Sequence, residues 1–186
     1  MPFVRQTALG GAALLALTLT GLSGTPAAAA EPAAEPAAST AQVAPQTLVI
    51  RTVKDPNLVL DMAYGSPEPG NPVTLYPAHG GQNQAWEVVP VQGDWFQLRN
   101  RASGTCLVNG YHSVENGHRL AGYGCNRGYE DQLWARVGVE NGNQFTLVNK
   151  YSGKCMDQTL DGTTLTQVTQ WDCHGQVQQR WTATVV

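Results

Sequence analysis

The tripeptide Gln-x-Trp occurs three times at nearly equal spacing, and this repetition constrains the fold more than any other feature of the sequence. The copies are Gln84-Ala85-Trp86, Gln132-Leu133-Trp134 and Gln179-Arg180-Trp181, so their tryptophans lie 48 and 47 residues apart. One such tripeptide carries no information, but three copies that use three of the five tryptophans indicate an internal repeat. A period of roughly 20–50 residues is typical of repeat architectures.

The cysteines follow the same period. The chain has four, an even number that indicates disulfide bonds and permits three pairings on sequence alone: Cys106, Cys125, Cys155 and Cys173. The first two lie 19 residues apart and the last two 18 apart, and the matching first-repeat positions, Val59 and Ala78, are also 19 apart. Because both members of a pair are present or both are replaced, the pattern predicts the bonds Cys106–Cys125 and Cys155–Cys173. A zinc site is the weaker alternative, since no Cys-x-x-Cys spacing occurs.

Short strands and turns, rather than helices, are predicted to fill each repeat. Thr47–Ile50, Trp95–Leu98 and Phe145–Val148 open the three units, and no segment shows a sustained period of 3.6 residues. Units of about 47 residues suit a β-propeller or a closed three-fold barrel, but a propeller usually needs at least about four blades. The sequence therefore predicts an all-β closed barrel.

The first 45 residues differ in composition from the rest, and we expect them to lie outside the folded domain. Residues 1–30 carry one charged side chain, Arg5, an apolar run at 12–17 and small residues at 25–30, which together are typical of a secretory signal peptide. Glycines interrupt the apolar run, which is short for a membrane span, so we expect no membrane insertion. Residues 31–45 are mostly Ala, Pro and Glu and predict a disordered linker. The protein is therefore expected to be secreted and extracellular.

Charge and motifs argue against nucleic-acid binding and catalysis. The net charge of −3 disfavours nucleic acid, which binds to basic surfaces. The sequence contains no Gly-x-Ser-x-Gly, no His-Glu-x-x-His and no phosphate-binding glycine loop. We expect no catalytic residues, no metal ion and no cofactor.

Further residues repeat in register and are similar to those of one known family. Each repeat carries a Cys-Leu-Asp-like tripeptide: Val59-Leu60-Asp61, Cys106-Leu107-Val108 and Cys155-Met156-Asp157. Each then carries an aromatic residue just before the second cysteine position: Tyr76-Pro77-Ala78, Tyr123-Gly124-Cys125 and Trp171-Asp172-Cys173. With Gln-x-Trp at the end of each repeat, residues 46–186 resemble the ricin B-chain type β-trefoil lectins, also classed as carbohydrate-binding modules. The resemblance implies a β-trefoil of three pseudo-symmetric repeats, at about 46–93, 94–142 and 143–186, with intra-repeat disulfides in repeats two and three.

The resemblance also implies sugar-binding sites in the first and third repeats. In such sites an aromatic ring covers the apolar face of a sugar, and a carboxylate accepts hydrogen bonds from adjacent hydroxyls. The first-repeat positions that match the family's sugar contacts are Asp61, Thr74, Tyr76, Asn83 and Gln84. The third-repeat positions are Asp157, Thr169, Trp171, Gln178 and Gln179, with Gln178 where the family has Asn. The alternative is that Asp61 only forms a turn and Tyr76 only part of a wall.

The second repeat departs from this pattern. Val108 replaces the acidic residue and Ala121 replaces a polar one, although Tyr123 and Asp131 stand at the ring and rim positions. Loss of a charged hydrogen bond costs roughly 1.5–3 kcal/mol, which is most of the affinity of a weak site. This repeat is therefore expected to be inactive, or to bind a different ligand through Asn109, Tyr111 and His112.

Trp86, Trp134 and Trp181 are interpreted as structural. Each is expected to end a strand and to point into a shared core, while the preceding glutamine satisfies turn backbone groups. His79 and His174 each follow the second cysteine position of a repeat, but a lone surface histidine is more often solvated. We leave both outside the predicted sites.

The expected function is non-catalytic sugar binding. Glycosidase carboxylates must lie within about 5–9.5 Å of each other, whereas Asp61 and Asp157 belong to different repeats. The resemblance implies glycan or polysaccharide partners, either galactose-type sugars or plant wall polysaccharide such as xylan, and we expect a monomer. The alternative is a secreted β-trefoil protease inhibitor or protein-interaction module, because a fold alone does not fix function.

Overall fold

The computed structural model describes residues 45–139, 142–158 and 166–186. The predicted signal peptide, residues 1–30, and residues 31–44 of the predicted linker lie outside the described residues. Within the described ranges the chain forms twelve β-strands, four 3-10 helices and no α-helix. None of these helices is long or apolar enough to cross a bilayer.

Each repeat contains four strands. The first repeat has β1 (Thr47–Thr52), β2 (Leu58–Met62), β3 (Asn71–Pro77) and β4 (Trp86–Gln92). The second has β5 (Trp95–Asn100), β6 (Cys106–Val108), β7 (Ala121–Tyr123) and β8 (Trp134–Gly138). The third has β9 (Phe145–Asn149), β10 (Cys155–Asp157), β11 (Thr169–Trp171) and β12 (Trp181–Val185). The 3-10 helices are η1 (Ala63–Gly65), η2 (Gln82–Gln84), η3 (Glu130–Gln132) and η4 (Val177–Gln179).

The first and fourth strands of the repeats close a six-stranded barrel. Antiparallel pairs β4–β5, β8–β9 and β12–β1 join each repeat to the next. Pairs β1–β4, β5–β8 and β9–β12 complete the barrel within each repeat. The second and third strands form a hairpin in every repeat, as β2–β3, β6–β7 and β10–β11. A barrel with three hairpins is a β-trefoil, which confirms the predicted all-β, three-repeat fold.

Three backbone hydrogen bonds join the hairpins around the pseudo-three-fold axis. The amide of Val73 donates to the carbonyl of Leu120 (3.2 Å), that of Leu120 to Val168 (2.8 Å), and that of Val168 to Val73 (2.9 Å). All three residues are fully buried, so these bonds are shielded from water. The closed ring of bonds fixes the hairpins relative to one another.

The tryptophans of the Gln-x-Trp motifs lie at the centre of the core and are fully buried. The expectation that each ends a strand is wrong, because Trp86, Trp134 and Trp181 begin β4, β8 and β12. Each indole N–H donates to a carbonyl of the hairpin in its own repeat. The acceptors are Leu60 (3.0 Å), Leu107 (3.1 Å) and Met156 (3.2 Å).

The glutamine of each motif bridges the turn that follows the hairpin. In the first repeat its side-chain oxygen accepts from the backbone amide five residues earlier, and its side-chain amide donates to the backbone carbonyl seven residues earlier. The three glutamines make the same pair of bonds: Gln84 with His79 and Pro77, Gln132 with Asn126 and Gly124, and Gln179 with His174 and Asp172. Side-chain bonds of this kind satisfy turn backbone that has no ladder partner.

Disulfide bonds connect Cys106 with Cys125 and Cys155 with Cys173, as the repeat pattern predicts. Each joins the second strand of its repeat to the residues just after the third strand. The two disulfide bonds therefore crosslink the two strands of the hairpin in the second and in the third repeat. In the first repeat, Val59 is fully buried at the position of the first cysteine.

We expect Trp134→Phe to lower the free energy of unfolding by about 2–4 kcal/mol. The substitution removes the donor to the Leu107 carbonyl and leaves a buried acceptor unpaired beside a small cavity. Urea denaturation followed by far-UV circular dichroism measures the change. Trp95→Phe is the control, because Trp95 is half-buried and its replacement should cost less than about 1 kcal/mol. Equal losses in the two variants would contradict the structural role assigned to the indole bond.

Candidate functional site

The hairpin of the first repeat brings an acid, a hydroxyl and a ring to one face. Asp61 on β2 lies directly opposite Thr74 on β3, and Tyr76 follows two residues later, where strand alternation returns the side chain to the same face. Asp61 is only 4% exposed, whereas Tyr76 is 38% exposed. The Thr74 hydroxyl is buried without a hydrogen-bond partner among the described residues.

Three side chains converge on one oxygen of Asp61. The amides of Asn83 and Gln84 each donate to Oδ2 at 2.9 Å, and His79 Nε2 lies 3.6 Å from the same atom. Asn83 and Gln84 come from η2, so this short helix sets the rim of the site. The prediction had excluded His79, and the structure places it at the carboxylate.

A cavity of about 220 Å³ opens above these groups. Four of the five residues predicted for this repeat line it, and three more complete the wall: Asp61, Thr74, Tyr76, Asn83, Ala63, Tyr64 and His79. Gln84 does not line the cavity and instead braces Asp61 from behind the rim. The predicted residues of the first repeat are thus brought together in one place.

Tyr64 is a wall residue that sequence reasoning missed. It is 96% exposed and has a φ angle of 56°, in the left-handed region that costs a non-glycine residue about 1–2 kcal/mol. Tyr111, at the equivalent position of the second repeat, has a φ angle of 50°. The exposed Tyr64 ring therefore lies beside the cavity and does not pack into the core.

The third repeat reproduces the arrangement on β10 and β11. Asp157 lies opposite Thr169, and Trp171 is 40% exposed at the position of Tyr76. His174 Nε2 lies 3.3 Å from Asp157 Oδ2, as His79 does from Asp61.

The rim of this third-repeat site comes from η4. The side-chain oxygen Oε1 of Gln178 is buried with no partner among the described residues, and the Gln179 side chain hydrogen-bonds to Asp157. Residues 159–165, which follow β10, lie outside the described residues.

The second repeat lacks the acid under the ring. Val108 lies opposite Ala121, so the face that holds Asp61 and Thr74 in the first repeat is apolar here. Asn109 cannot contact a ligand, because it is fully buried and donates to the Ser113 carbonyl at 2.9 Å.

The carboxylate of the second repeat lies on η3 instead. Asp131 is buried, and His112 Nδ1 lies 3.5 Å from its Oδ2 atom. Its Oδ1 atom has no partner among the described residues. This repeat therefore has different polar chemistry at the same place in the fold.

Burial raises the pKa of Asp61 and of Asp157 above the ordinary aspartate value. Hydrogen bonds from Gln84 and Gln179, and the neighbouring histidines, act in the opposite direction but do not cancel the desolvation. Each carboxyl therefore binds a proton in the folded state at a pH where it is still ionised in the unfolded chain. Their contribution to stability is present in acid and is lost as the pH rises through the folded pKa.

Carboxyl carbon NMR of the ¹³C-labelled domain checks these directions. We expect Asp61 and Asp157 to titrate above the ordinary aspartate value because they are buried. Asp172 should titrate below it, because the Lys154 ammonium and the Asn116 amide donate to that exposed carboxylate. Asp172 serves as the internal control, and titration of all three at one pH would contradict the assignment of burial as the dominant cause.

The histidines could have been found from the repeat register. His79 and His174 occupy equivalent positions, and both occur in repeats that have the acidic residue. The repeat with Val108 has Asn126 there instead. A histidine that is present only with its carboxylate partner is a sequence signal for contact between the two. Among the described residues, no cluster of three or more histidines, cysteines or acids forms a metal site.

Comparison with known proteins identifies the family to which this fold belongs. Residues 46–181 match the model of the ricin-type beta-trefoil lectin domain, whereas curated protein sequences give no match. A Macrolepiota procera ricin B-like lectin, solved in complex with lactose, is 29% identical with a TM-score of 0.61, over 74% of this chain and 94% of that one.

Two further structures share the fold. The designed three-fold symmetric protein ThreeFoil is 25% identical with a TM-score of 0.72, over 75% of this chain and 99% of that one. An exo-beta-1,3-galactanase from Clostridium thermocellum is 23% identical with a TM-score of 0.70, over 76% of this chain but only 30% of that enzyme. Because the family match spans most of its length, the chain belongs to the ricin-type β-trefoil lectin domain family.

Proposed function

We propose that this protein is a secreted, non-catalytic carbohydrate-binding module that holds sugars through its first and third repeats. The observation that carries the proposal is the repetition of one constellation at equivalent positions of two hairpins. Asp61 with Tyr76 and His79, and Asp157 with Trp171 and His174, have the same strand register and the same histidine–carboxylate contact. Packing requirements alone do not explain two buried carboxylates beneath exposed rings.

Each site offers an aromatic ring and a carboxylate, which complement the C–H face and the hydroxyl groups of a sugar. The exposed ring of Tyr76 or Trp171 offers a flat apolar surface to the C–H face of a pyranose. Bonds from protein donors converge on Oδ2 of Asp61, which leaves Oδ1 to accept from a ligand hydroxyl. Thr74 lines the same cavity and adds a polar side chain beside the carboxylate. Because the first cavity holds only about 220 Å³, it suits one sugar ring rather than a large ligand.

The ligand class that we propose is a galactose-type sugar or a plant wall polysaccharide such as xylan. The similar Macrolepiota procera lectin was solved with lactose, which contains galactose. Each site alone is shallow and weak, but two sites on one rigid domain raise the affinity for a polymer through multivalency. A monomer with two sites is therefore sufficient for polysaccharide binding.

Secretion is supported by the disulfides and by the composition of the N-terminal segment. Both disulfide bonds form within single repeats, and such bonds persist in oxidising compartments. We propose that residues 1–30 are a signal peptide, that residues 31–45 are a linker and that the extracellular protein acts through residues 46–186.

Paired substitutions in each lobe test the site assignment. Asp61→Ala with Tyr76→Ala, and Asp157→Ala with Trp171→Ala, should each weaken binding at one site by roughly ten- to hundredfold, because each removes a charged hydrogen bond and a stacking surface. The stoichiometry of monosaccharide binding by NMR titration should fall from two sites to one in either variant. In the fourfold variant it should fall to none.

Asp94→Ala is the matched control, because Asp94 is exposed in the turn between β4 and β5. A glycan array combined with insoluble polysaccharides identifies the sugar. Full binding by the fourfold variant would refute the proposed sites. A wild-type protein that binds no glycan but inhibits a protease would instead support the protein-interaction alternative.

Sugar affinity should fall as the pH is lowered through the raised pKa values of Asp61 and Asp157. Protonation removes the charge that strengthens the hydrogen bonds from the sugar hydroxyls. Since burial raises both pKa values, the loss should begin at a higher pH than for an ordinary aspartate. Calorimetric titrations at a series of pH values measure it, with circular dichroism to verify folding at each pH. Constant affinity down to the ordinary aspartate pKa would contradict the role of the carboxylates.

A further inference from the structure

The second repeat contributes most of a cavity whose charge is opposite to that of the first-repeat site. The cavity has a volume of about 420 Å³, within the range of roughly 300–1,000 Å³ typical of small-molecule sites. Tyr111, His118, Arg119 and Tyr123 form much of its wall, and Gly70 and Gln167 close it from the other two repeats. Among the described residues that line it, none is an aspartate or a glutamate.

Arg119 shares a face with the ring platform of this repeat. Leu120 belongs to the buried ring of bonds at the axis, so strand alternation places Arg119, Ala121 and Tyr123 on the opposite, outer face. The residues equivalent to Arg119 in the other repeats are Pro72 and Gln167, and neither is charged.

No acidic group in the described part of the chain neutralises the charge of Arg119. Arg119 is exposed, and its guanidinium has no ion pair or hydrogen bond among the described residues. Five N–H donors in a planar fork are therefore available to a ligand. Such a fork matches the geometry of a carboxylate and can bind it through two parallel hydrogen bonds.

The second repeat has also lost the group that would repel an anion. Val108 stands where the other repeats have Asp61 and Asp157, and a carboxylate there would oppose a negatively charged ligand. The acid at the rim position, Asp131, is buried next to His112 and does not line the cavity, and neither Glu115 nor Glu130 lines it. The substitution that disables a neutral-sugar site thus fits a site for an acidic one.

Two tyrosines provide an uncharged aromatic wall. The rings of Tyr111 and Tyr123 meet edge to face with centroids 5.8 Å apart. The hydrogen bond between their hydroxyls, together with burial, raises the pKa of Tyr123 to about 12, so this phenol remains neutral at physiological pH. The wall can contact the C–H groups of a sugar ring, which an inorganic anion lacks.

We propose that this cavity binds an acidic sugar, a hexuronate, whose carboxylate contacts Arg119 while its ring packs against Tyr111 and Tyr123. The inference rests on the proposed function in one respect, namely that the ligand is a saccharide. It differs from the first- and third-repeat sites in residues, charge and ligand class.

Amide NMR titrations of the whole protein with galacturonate and glucuronate test the proposal, with galactose and glucose as neutral counterparts. The uronates should shift the signals of Gly110, Gly117 and Arg119, and the neutral sugars should not. Arg119→Gln should weaken uronate binding at least about tenfold through loss of a charged hydrogen bond, and Arg119→Lys should retain only part of the affinity. High salt should also weaken binding, since the contact is partly exposed.

Arg127→Gln is the matched control, because Arg127 is exposed in the same repeat and does not line the cavity. Equal uronate binding by Arg119→Gln and wild type would overturn the proposal, as would shifts of the same signals by acetate or sulfate at equal concentration. The salt dependence tests the wild-type protein even if a variant fails to fold. Binding of neutral sugars at the first- and third-repeat sites is measured from the amide signals of Tyr76 and Trp171. The two proposals can therefore fail separately.

Discussion

The hydrogen bond from each buried indole to a hairpin carbonyl links the core of this protein to its binding surface. The acceptors are Leu60, Leu107 and Met156, and the next residue in each repeat occupies the position of the site acid. Rotating or slipping the strand by one residue would leave a buried carbonyl unpaired and would turn the acid to the other face. The motif that identifies the fold therefore also fixes the direction in which Asp61 and Asp157 point.

The glutamine of each Gln-x-Trp motif adds a second constraint, and the burial that accompanies it costs stability at the acid. Gln84 holds the turn through His79 and Pro77 and also donates to Asp61, so one side chain orients both the histidine and the acid. Donors surround the carboxylate, yet burial still raises its pKa, which shows that its desolvation is not fully offset. A ligand hydroxyl that donates to Asp61 can supply the missing stabilisation. The incompletely offset desolvation of Asp61 in the free protein is thus consistent with a binding role. Binding sites commonly give up some stability for function.

The repeat period was sufficient to predict a closed all-β barrel of three units and both disulfides, because each depends on residues that recur in register, whereas the trefoil topology was implied by the family resemblance. Features that depend on tertiary contacts were not accessible in the same way. Asn109 is fully buried and donates to the Ser113 carbonyl. This contact lies in a loop whose sequence does not recur in the other repeats, so the repeat pattern could not predict it. Tyr64 has a positive φ angle in the turn after β2. Tyrosine has no preference for that conformation, so the residue type did not predict it. The contact between His79 and Asp61 was predictable only by comparing repeats, since neither residue alone differs from an ordinary surface group.

The cavity of the second repeat adjoins the Trp171 ring of the third repeat, because Gly117 lines the cavity and packs against that ring. The changes in the second repeat therefore bear on a ligand that reaches both places. A Cβ atom added to Gly117 would lie 3.4 Å from the Trp171 ring, and Asn116 makes two hydrogen bonds to Asp172, at 2.8 and 2.9 Å. On the proposed assignments, a saccharide long enough to reach both sites would place a neutral unit on Trp171 and an acidic unit at Arg119. The second contact is then intramolecular and loses little further translational freedom. An aspartate at position 108 would restore the pattern of the other repeats but would oppose an acidic unit at Arg119, so Val108 is consistent with the proposed hexuronate site.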